Sequence, residues 1–229
     1  MMQAIKNCYV ELVNMQERID KIMFSQYNEE QIIINYFNHK TNGFVVDIGA
    51  VDGIINSNSR NLLLNYSWNG VLVEPNPVTF SLLKDLYKNF DKIKLENVAI
   101  FDKENENVEF HIYGNDIKDS QGSTLSEVFK QRAISQTGDK YQNTIFVNTI
   151  SLSSLFALHK VPNNFDFLSI DCEGVDLQVL LSNDWDKYRP KLICVEESIN
   201  VQEIENLLKT NNYSFHSRTA GNAFYEDIK

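Results

Sequence analysis

The amino-acid sequence predicts an α/β fold: a doubly wound, three-layer sandwich whose mostly parallel seven-stranded sheet ends in an antiparallel C-terminal hairpin, with helices ahead of it. Three observations predict it. Short apolar runs such as residues 44–48 and 165–171 end in glycine or an acidic residue, as strands buried on both faces do. Helical segments separate these runs, which is the pattern of βαβ units. The last two runs, residues 213–217 and 223–225, flank Ala220, Gly221 and Asn222 and read as a hairpin.

Each element follows in order. Ile5, Cys8, Leu12, Met15, Ile19, Ile22 and Met23 have helical spacing and predict a helix over residues 4–24. Its apolar stripe suits packing on the domain or on a partner subunit, so a homo-oligomer is compatible with it. Ile32, Ile33, Tyr36 and Phe37 predict a second helix over residues 28–38. Residues 1–40 therefore read as a helical extension and residues 41–229 as the main domain. In that domain residues 44–48, 71–74 and 93–100 read as strands, and residues 56–66 and 78–89 as helices.

Residues 101–150 break the rhythm and read as an excursion that covers the site. Val108, Phe110 and Ile112 alternate with Glu109, His111 and Tyr113, so this strand is expected to keep one wet face. Residues 145–150 can pair with it, and the polar stretch between them has a helical centre near residues 125–134. The α/β rhythm resumes with a strand at 165–171, a helix at 175–182, a strand at 191–196 and a helix at 201–210. Pro190 stands at a strand start, where its missing N–H is harmless.

Composition excludes several classes of function. The 229 residues suffice for one domain with a sizeable core. The net charge is −10 and no Lys/Arg cluster exceeds a pair, which argues against nucleic acid and against a polybasic membrane anchor. A cationic ligand, by contrast, is well tolerated. Apolar runs such as residues 32–34 and 62–64 are far too short to span a bilayer. Lys6, Glu11, Glu17 and Arg18 interrupt the first segment, so no signal peptide is read there. Cys8, Cys172 and Cys194 form no CxxC pair, which speaks against a disulfide framework or a zinc site. A cytoplasmic, reduced protein is the expectation.

In a doubly wound sheet, ligands bind beyond the carboxyl ends of the strands. The first such tip carries Asp47, Gly49, Ala50, Asp52 and Gly53. Gly49 lets the backbone turn without a side chain in the way, while Asp47 and Asp52 place carboxylates beside the turn. These would repel a pyrophosphate and welcome an ammonium or a sulfonium. Ala50 and Val51 also break the GxGxxG pattern of dinucleotide sites. At the second tip Glu74, followed by the turn residues Pro75 and Asn76, is placed to accept hydrogen bonds from both ribose hydroxyls of an adenosine. The third strand brings Ala99 to a possible adenine edge. The fourth tip carries Asp171 and Glu173 on either side of Cys172, expected to face different directions, one toward the cofactor and one toward an acceptor or a metal. Acidic residues also favour helix starts, so a structural role for this pair stands beside the functional one. Cys172 reads as packing.

At four strings the sequence resembles the FkbM family of methyltransferases: VVDIGAVDG (45–53), GVLVEPNP (70–77), DFLSIDCEG (166–174) and RPKLICVEE (189–197), with Ser25-Gln26 ahead of them. The likeness spans roughly residues 24–226. It implies a Rossmann-like class I methyltransferase fold, S-adenosylmethionine as cofactor and methyl transfer to a hydroxyl of a sugar, glycan or secondary-metabolite acceptor. On this reading the cofactor contacts are Gln26, Asp47, Gly49, Ala50, Asp52, Gly53, Asn56 and Ser57 on the first side. Glu74, Pro75, Asn76, Ala99, Asp171 and Ser123, in the small-hydroxyl segment 122–124, complete them.

Methyl transfer to a hydroxyl needs in-line positioning and a base or a metal. Asp171 and Glu173 are the candidates, with His111 and His159 behind them; His159 reads as a solvated loop residue and His111 as facing the polar side of its strand. No ligand set points to a metal, although a divalent ion remains compatible. Three other readings stay open: methylation of nitrogen or a carboxylate, a non-catalytic cofactor-binding module, and a nicotinamide-dependent reductase. The last rests on the Tyr36-x-x-x-Lys40 spacing, which precedes the first strand.

Overall fold

A computed structural model describes residues 24–114, 119–138 and 140–229. Apart from Phe24, the helix expected over residues 4–24 lies outside the described residues. Helix α1 (Glu29–Tyr36) leads into β1 (Phe44–Ile48), and α2 (Arg60–Asn65), β2 (Asn69–Val73), α3 (Pro77–Tyr87) and β3 (Ile93–Glu96) follow in alternation. The excursion holds β4 (Ala99–Ile100), β5 (Asn105–Tyr113), a 3-10 turn (Asp119–Gly122), α4 (Glu127–Thr137) and β6 (Tyr141–Ile150). The chain then runs through α5 (Leu152–Leu158), β7 (Phe167–Ile170), α6 (Asp176–Leu181), β8 (Leu192–Glu196) and α7 (Val201–Thr210). It closes with β9 (Tyr213–Arg218) and β10 (Asn222–Asp227).

Seven strands form one sheet in the order β3-β2-β1-β7-β8-β10-β9. β3, β2, β1, β7 and β8 are parallel, and β10 runs antiparallel to both β8 and β9. Successive residues of β1 feed opposite faces. Val45 packs with Leu62, Leu72 and Leu83 on the side of α2 and α3, whereas Val46 and Ile48 pack with Leu152, Leu155 and Val179 on the side of α5 and α6. Burial on both faces is why these strands read as continuous apolar runs.

The structure differs from the sequence expectation in three places. The strand expected over residues 93–100 is two strands in two sheets. Asn97 sits at the break and donates from Nδ2 to the carbonyls of Glu74 (2.8 Å) and Pro75 (3.0 Å), pinning the chain as it leaves the main sheet. β4 then pairs with β6 and β6 with β5, giving a second sheet in the order β4-β6-β5. Helix α2 starts at Arg60 rather than near residue 56, because Asn56 takes a left-handed φ of 53° and residues 56–59 remain in the loop. Finally, His111 is not on a wet face, although Glu109 on the same side of β5 is exposed. The backbone of Thr124 pairs with that of His111 in both directions (2.9 and 3.0 Å), which leaves His111 only 5% exposed.

One polar cluster fastens the hairpin to the sheet. Arg189, just before β8, donates from Nε to Asp227 Oδ2 (3.1 Å), from Nη1 to the Trp185 carbonyl (3.1 Å) and from Nη2 to the Asn211 carbonyl (3.0 Å). Arg189→Ala strands these buried acceptors, so it is expected to destabilise the fold by about 3 kcal/mol. Urea denaturation checks this; a loss well below 1 kcal/mol would refute it.

Candidate functional site

The site is built at the tips of β1, β2, β7 and β8, where the order of strands reverses between β1 and β7. At the end of β1 the N–H groups of Gly49 and Ala50 both donate to the Val73 carbonyl (3.0 Å each), which folds the loop across the tip of β2. Gly49 has φ +91°, and a Cβ there would overlap the carbonyl oxygen of Asp171. Glycine is therefore required twice over, by backbone conformation and by the close approach of β7. Val51 keeps a left-handed φ of 50°, uncommon for a β-branched residue.

Glu74 holds that loop in place. Its Oε2 accepts from the Val51 N–H (3.0 Å) and its Oε1 from the Asn76 N–H (2.8 Å). Each oxygen retains a lone pair for a ligand, since a carboxylate accepts about four hydrogen bonds. Burial pushes the Glu74 carboxyl up to about 7. Asp47, also buried, accepts from Ser59 Oγ (2.6 Å) and is pushed by burial up to about 6.

Two adjoining cavities open here. A narrow slot of about 50 Å3 is lined by Glu74, Pro75, Ala99, Phe110, Ser123 and Leu125, among others. A wider chamber of about 350 Å3 is lined by Gln26, Asp47, Asn56, Ser57, Asn58, Tyr113 and Ser169, among others. Gly49, Val51, Gln121, Asp171 and Glu173 line both. Asn56 Nδ2 donates to Gln121 Oε1 (2.7 Å), so the excursion is latched to the β1 loop beside the chamber.

Asp171 and Glu173 do not diverge as expected. One oxygen of each, with one of Glu196 at the end of β8, lies within 4.8 Å of the other two. The reason is backbone conformation: Glu173 takes φ 51° and Gly174 φ 93°, which curls the chain back over the tip of β7. Asp176 fixes the curl by accepting from the N–H groups of Cys172 (2.9 Å) and Gly174 (3.2 Å), and Thr124 Oγ1 donates to the Glu173 carbonyl (2.7 Å). Burial first, and repulsion from neighbouring carboxylates including Asp176 second, push the carboxyls of Asp171, Glu173 and Glu196 up. Among the described residues this trio has the spacing to hold a hard divalent cation.

The structure gathers most of the residues singled out in the sequence. Gln26, Asp47, Gly49, Ala50, Asn56, Ser57, Glu74, Pro75, Ala99, Ser123, Asp171 and Glu173 line one cavity or both. Three do not. Asp52 turns inward to accept from the N–H groups of Ile54 and Ile55 (2.9 Å each), Gly53 packs against Leu83 and Tyr87, and Asn76 caps α3 by accepting from the Val78 N–H (3.0 Å). Nor is either histidine at the cavities. His111 is held between Thr144 Oγ1 (3.0 Å from Nδ1) and Glu127 Oε2 (3.2 Å from Nε2). His159 is no solvated loop residue: it closes α5, half-buried, with Nε2 2.9 Å from Glu96 Oε1. Cys172 packs at the edge of the core.

Sequence reasoning missed Asn58, Ser169, Tyr113, Gln121 and Glu196. The signal for Glu196 was available, since β8 ends in an acidic residue as β7 is followed by one, and Ile170 pairs with Val195 just before both. Tyr113 and Gln121 arrive through the folding of the excursion and have no spacing that announces them. The Tyr36–Lys40 pair lies elsewhere: Lys40 Nζ is 2.7 Å from Asp166 Oδ1 and Tyr36 donates to the Lys191 carbonyl (3.2 Å), at the opposite ends of the strands from the cavities.

A doubly wound sheet with an inserted antiparallel seventh strand, a glycine turn at its first tip and a carboxylate at its second defines the class I methyltransferase architecture. The chain belongs to the FkbM methyltransferase family, whose domain model, described as the methyltransferase FkbM domain, matches residues 47–215. No curated protein matches it in sequence. Among solved structures it is similar to the methyltransferase FkbM from Methylobacillus flagellatus, at 12% identity and a TM-score of 0.51, over 81% of this chain and 43% of that one. The chain thus spans less than half the length of that protein. It is also similar to the METTL16 methyltransferase domain, at 12% identity and a TM-score of 0.50, over 88% of this chain and 67% of that one. Among the described residues no helix is long and apolar enough to cross a membrane.

Proposed function

We propose that this methyltransferase uses S-adenosylmethionine to methylate a hydroxyl of a sugar, glycan or secondary-metabolite acceptor. The observation that carries the reading is Glu74: a buried carboxylate with one backbone donor on each oxygen and a lone pair left on each, facing a slot walled by apolar side chains. That combination suits a ribose diol with a flat aromatic base beyond it. The remaining residues fit the rest of the cofactor, because Asp47 and Asp171 offer carboxylates to an ammonium.

The bound cofactor would supply the electrophilic methyl group. Asp171 or Glu173, which line both cavities, would hold the attacking hydroxyl and take up its one proton. A carboxylate pushed up toward neutrality is better matched to that proton than an ordinary one.

Calorimetric titration with S-adenosylmethionine, and separately with NAD, tests the cofactor. Micromolar binding of the first alone is expected, weakened about 100-fold in Glu74→Ala, which removes two charge-assisted hydrogen bonds of roughly 1.5 kcal/mol each. Preference for NAD would refute the reading.

Affinity should also depend on pH, with a defined sign. Glu74 and Asp47 stand at about 7 and about 6 in the free protein, so below those values they are largely protonated. A ligand that donates hydrogen bonds and carries positive charge favours their ionised forms and releases protons on binding. The dissociation constant is expected to fall as pH rises from about 5 to about 7 and then to level off. Tighter binding at pH 5 than at pH 7.5 would contradict this.

A further inference from the structure

The charge of the two cavities bears on the acceptor. Asp47, Glu74, Asp171 and Glu173 line them, and Glu196 stands within 4.8 Å of the last two. No lysine, arginine or histidine is among the described residues that line either cavity. S-adenosylmethionine carries a sulfonium, an ammonium and one carboxylate, a net charge of plus one. Burial and repulsion keep part of this cluster protonated in the free protein, so the cofactor offsets few of these carboxyls and the others ionise only beside a further cation.

The chamber has further features that bear on what balances it. Tyr113, Gln26, Asn56 and Asn58 are among the residues that line it. A ring face attracts an organic ammonium, and amides hydrogen-bond to hydroxyls. An acceptor with a carboxylate or phosphate near the reacting atom would meet four acidic side chains and no basic one.

We propose, on the basis of the methyltransferase reading, that the acceptor is a polyhydroxylated amine, such as an amino sugar or an aminocyclitol, whose ammonium lies against Asp171, Glu173 and Glu196 in the chamber that Tyr113 lines. The ammonium serves recognition, and the methyl group goes to a neighbouring hydroxyl. The carboxylate trio thus sets specificity as well as accepting a proton, and disfavours an acidic acceptor.

The experiment uses the whole chain saturated with S-adenosylhomocysteine at pH 7. Glucosamine, N-acetylglucosamine, glucuronic acid, kanamycin and N-acetylated kanamycin are titrated into it by calorimetry. Each amine is expected to bind at least tenfold more tightly than its N-acetyl form, with no binding of glucuronic acid. Glu173→Gln and Glu196→Gln, which keep the shape and remove the charge, should each cut that advantage to threefold or less. Equal binding of the amines and their N-acetyl forms, preference for the acid, or no binding of any probe would overturn the proposal. So would stoichiometric binding of Mg2+ or Mn2+ that displaces the amines, which would make the trio a metal site. If S-adenosylhomocysteine itself fails to bind, the cofactor reading falls first, and the two failures are told apart at that step.

Discussion

Gly49→Ala is expected to abolish binding of S-adenosylmethionine, with at least a 100-fold loss of affinity, and to lower the stability of the fold. Gly49 has a φ of +91°, and any side chain there would overlap the carbonyl oxygen of Asp171. The backbone conformation alone costs an alanine about 1–3 kcal/mol. The overlap cannot be relieved by rotating a side chain, because its other partner is backbone. It must be relieved by parting β1 from β7, the seam at which the two cavities meet, or by unfolding the turn. Moving the turn also breaks the paired donation of Gly49 and Ala50 to Val73 and removes Val51 from Glu74. Cofactor titration and thermal denaturation check the two effects together. Wild-type affinity in Gly49→Ala would mean that the turn is not part of the cofactor site.

The second large effect is expected at the carboxylates of the β7 tip. Asp171→Asn and Glu173→Gln should each reduce kcat by about 10²–10⁴, the range that a positioned acid or base contributes. Their shapes are nearly those of the native residues, so the fold is expected to survive. The pH profile separates proton transfer from mere positioning. Burial and the neighbouring carboxylates push Asp171 up, so the ionised form that accepts a proton increases as pH rises. Wild-type kcat/KM is expected to climb with pH through neutrality, and that rising limb should disappear in Asp171→Asn. Normal turnover in both variants would place the chemistry elsewhere. Cofactor binding with no turnover on any acceptor, in the wild-type chain, would instead favour a binding module that has kept the fold.

Much of this was legible before the structure. Alternation of buried strands with helices, the closing hairpin, and the Gly49, Glu74 and Asp171 tips are all local patterns. A strand buried on both faces must be apolar throughout, and a turn that passes another strand closely needs a glycine. Helix α7 lies at residues 201–210, where its spacing predicts it. Errors gathered where one residue's neighbours are far away in the chain. His111 reads as polar-facing from its alternation, yet a hydrogen-bonded segment 13 residues later covers it. Asp52 has the same composition signal as Asp47, but one carboxylate turns into its own loop and the other faces the chamber.

The sequence by itself determined the fold class, the family and the tips at which to look, because period and turn chemistry act over a few residues. Only the tertiary structure decided which carboxylates work together. Asp171, Glu173 and Glu196 converge through two left-handed residues and the parallel pairing of β7 with β8. Tyr113 and Gln121 reach the same place through a separate three-stranded sheet. Convergence of this kind depends on backbone directions and on contacts between distant segments, and neither is encoded in the spacing of residues along the chain.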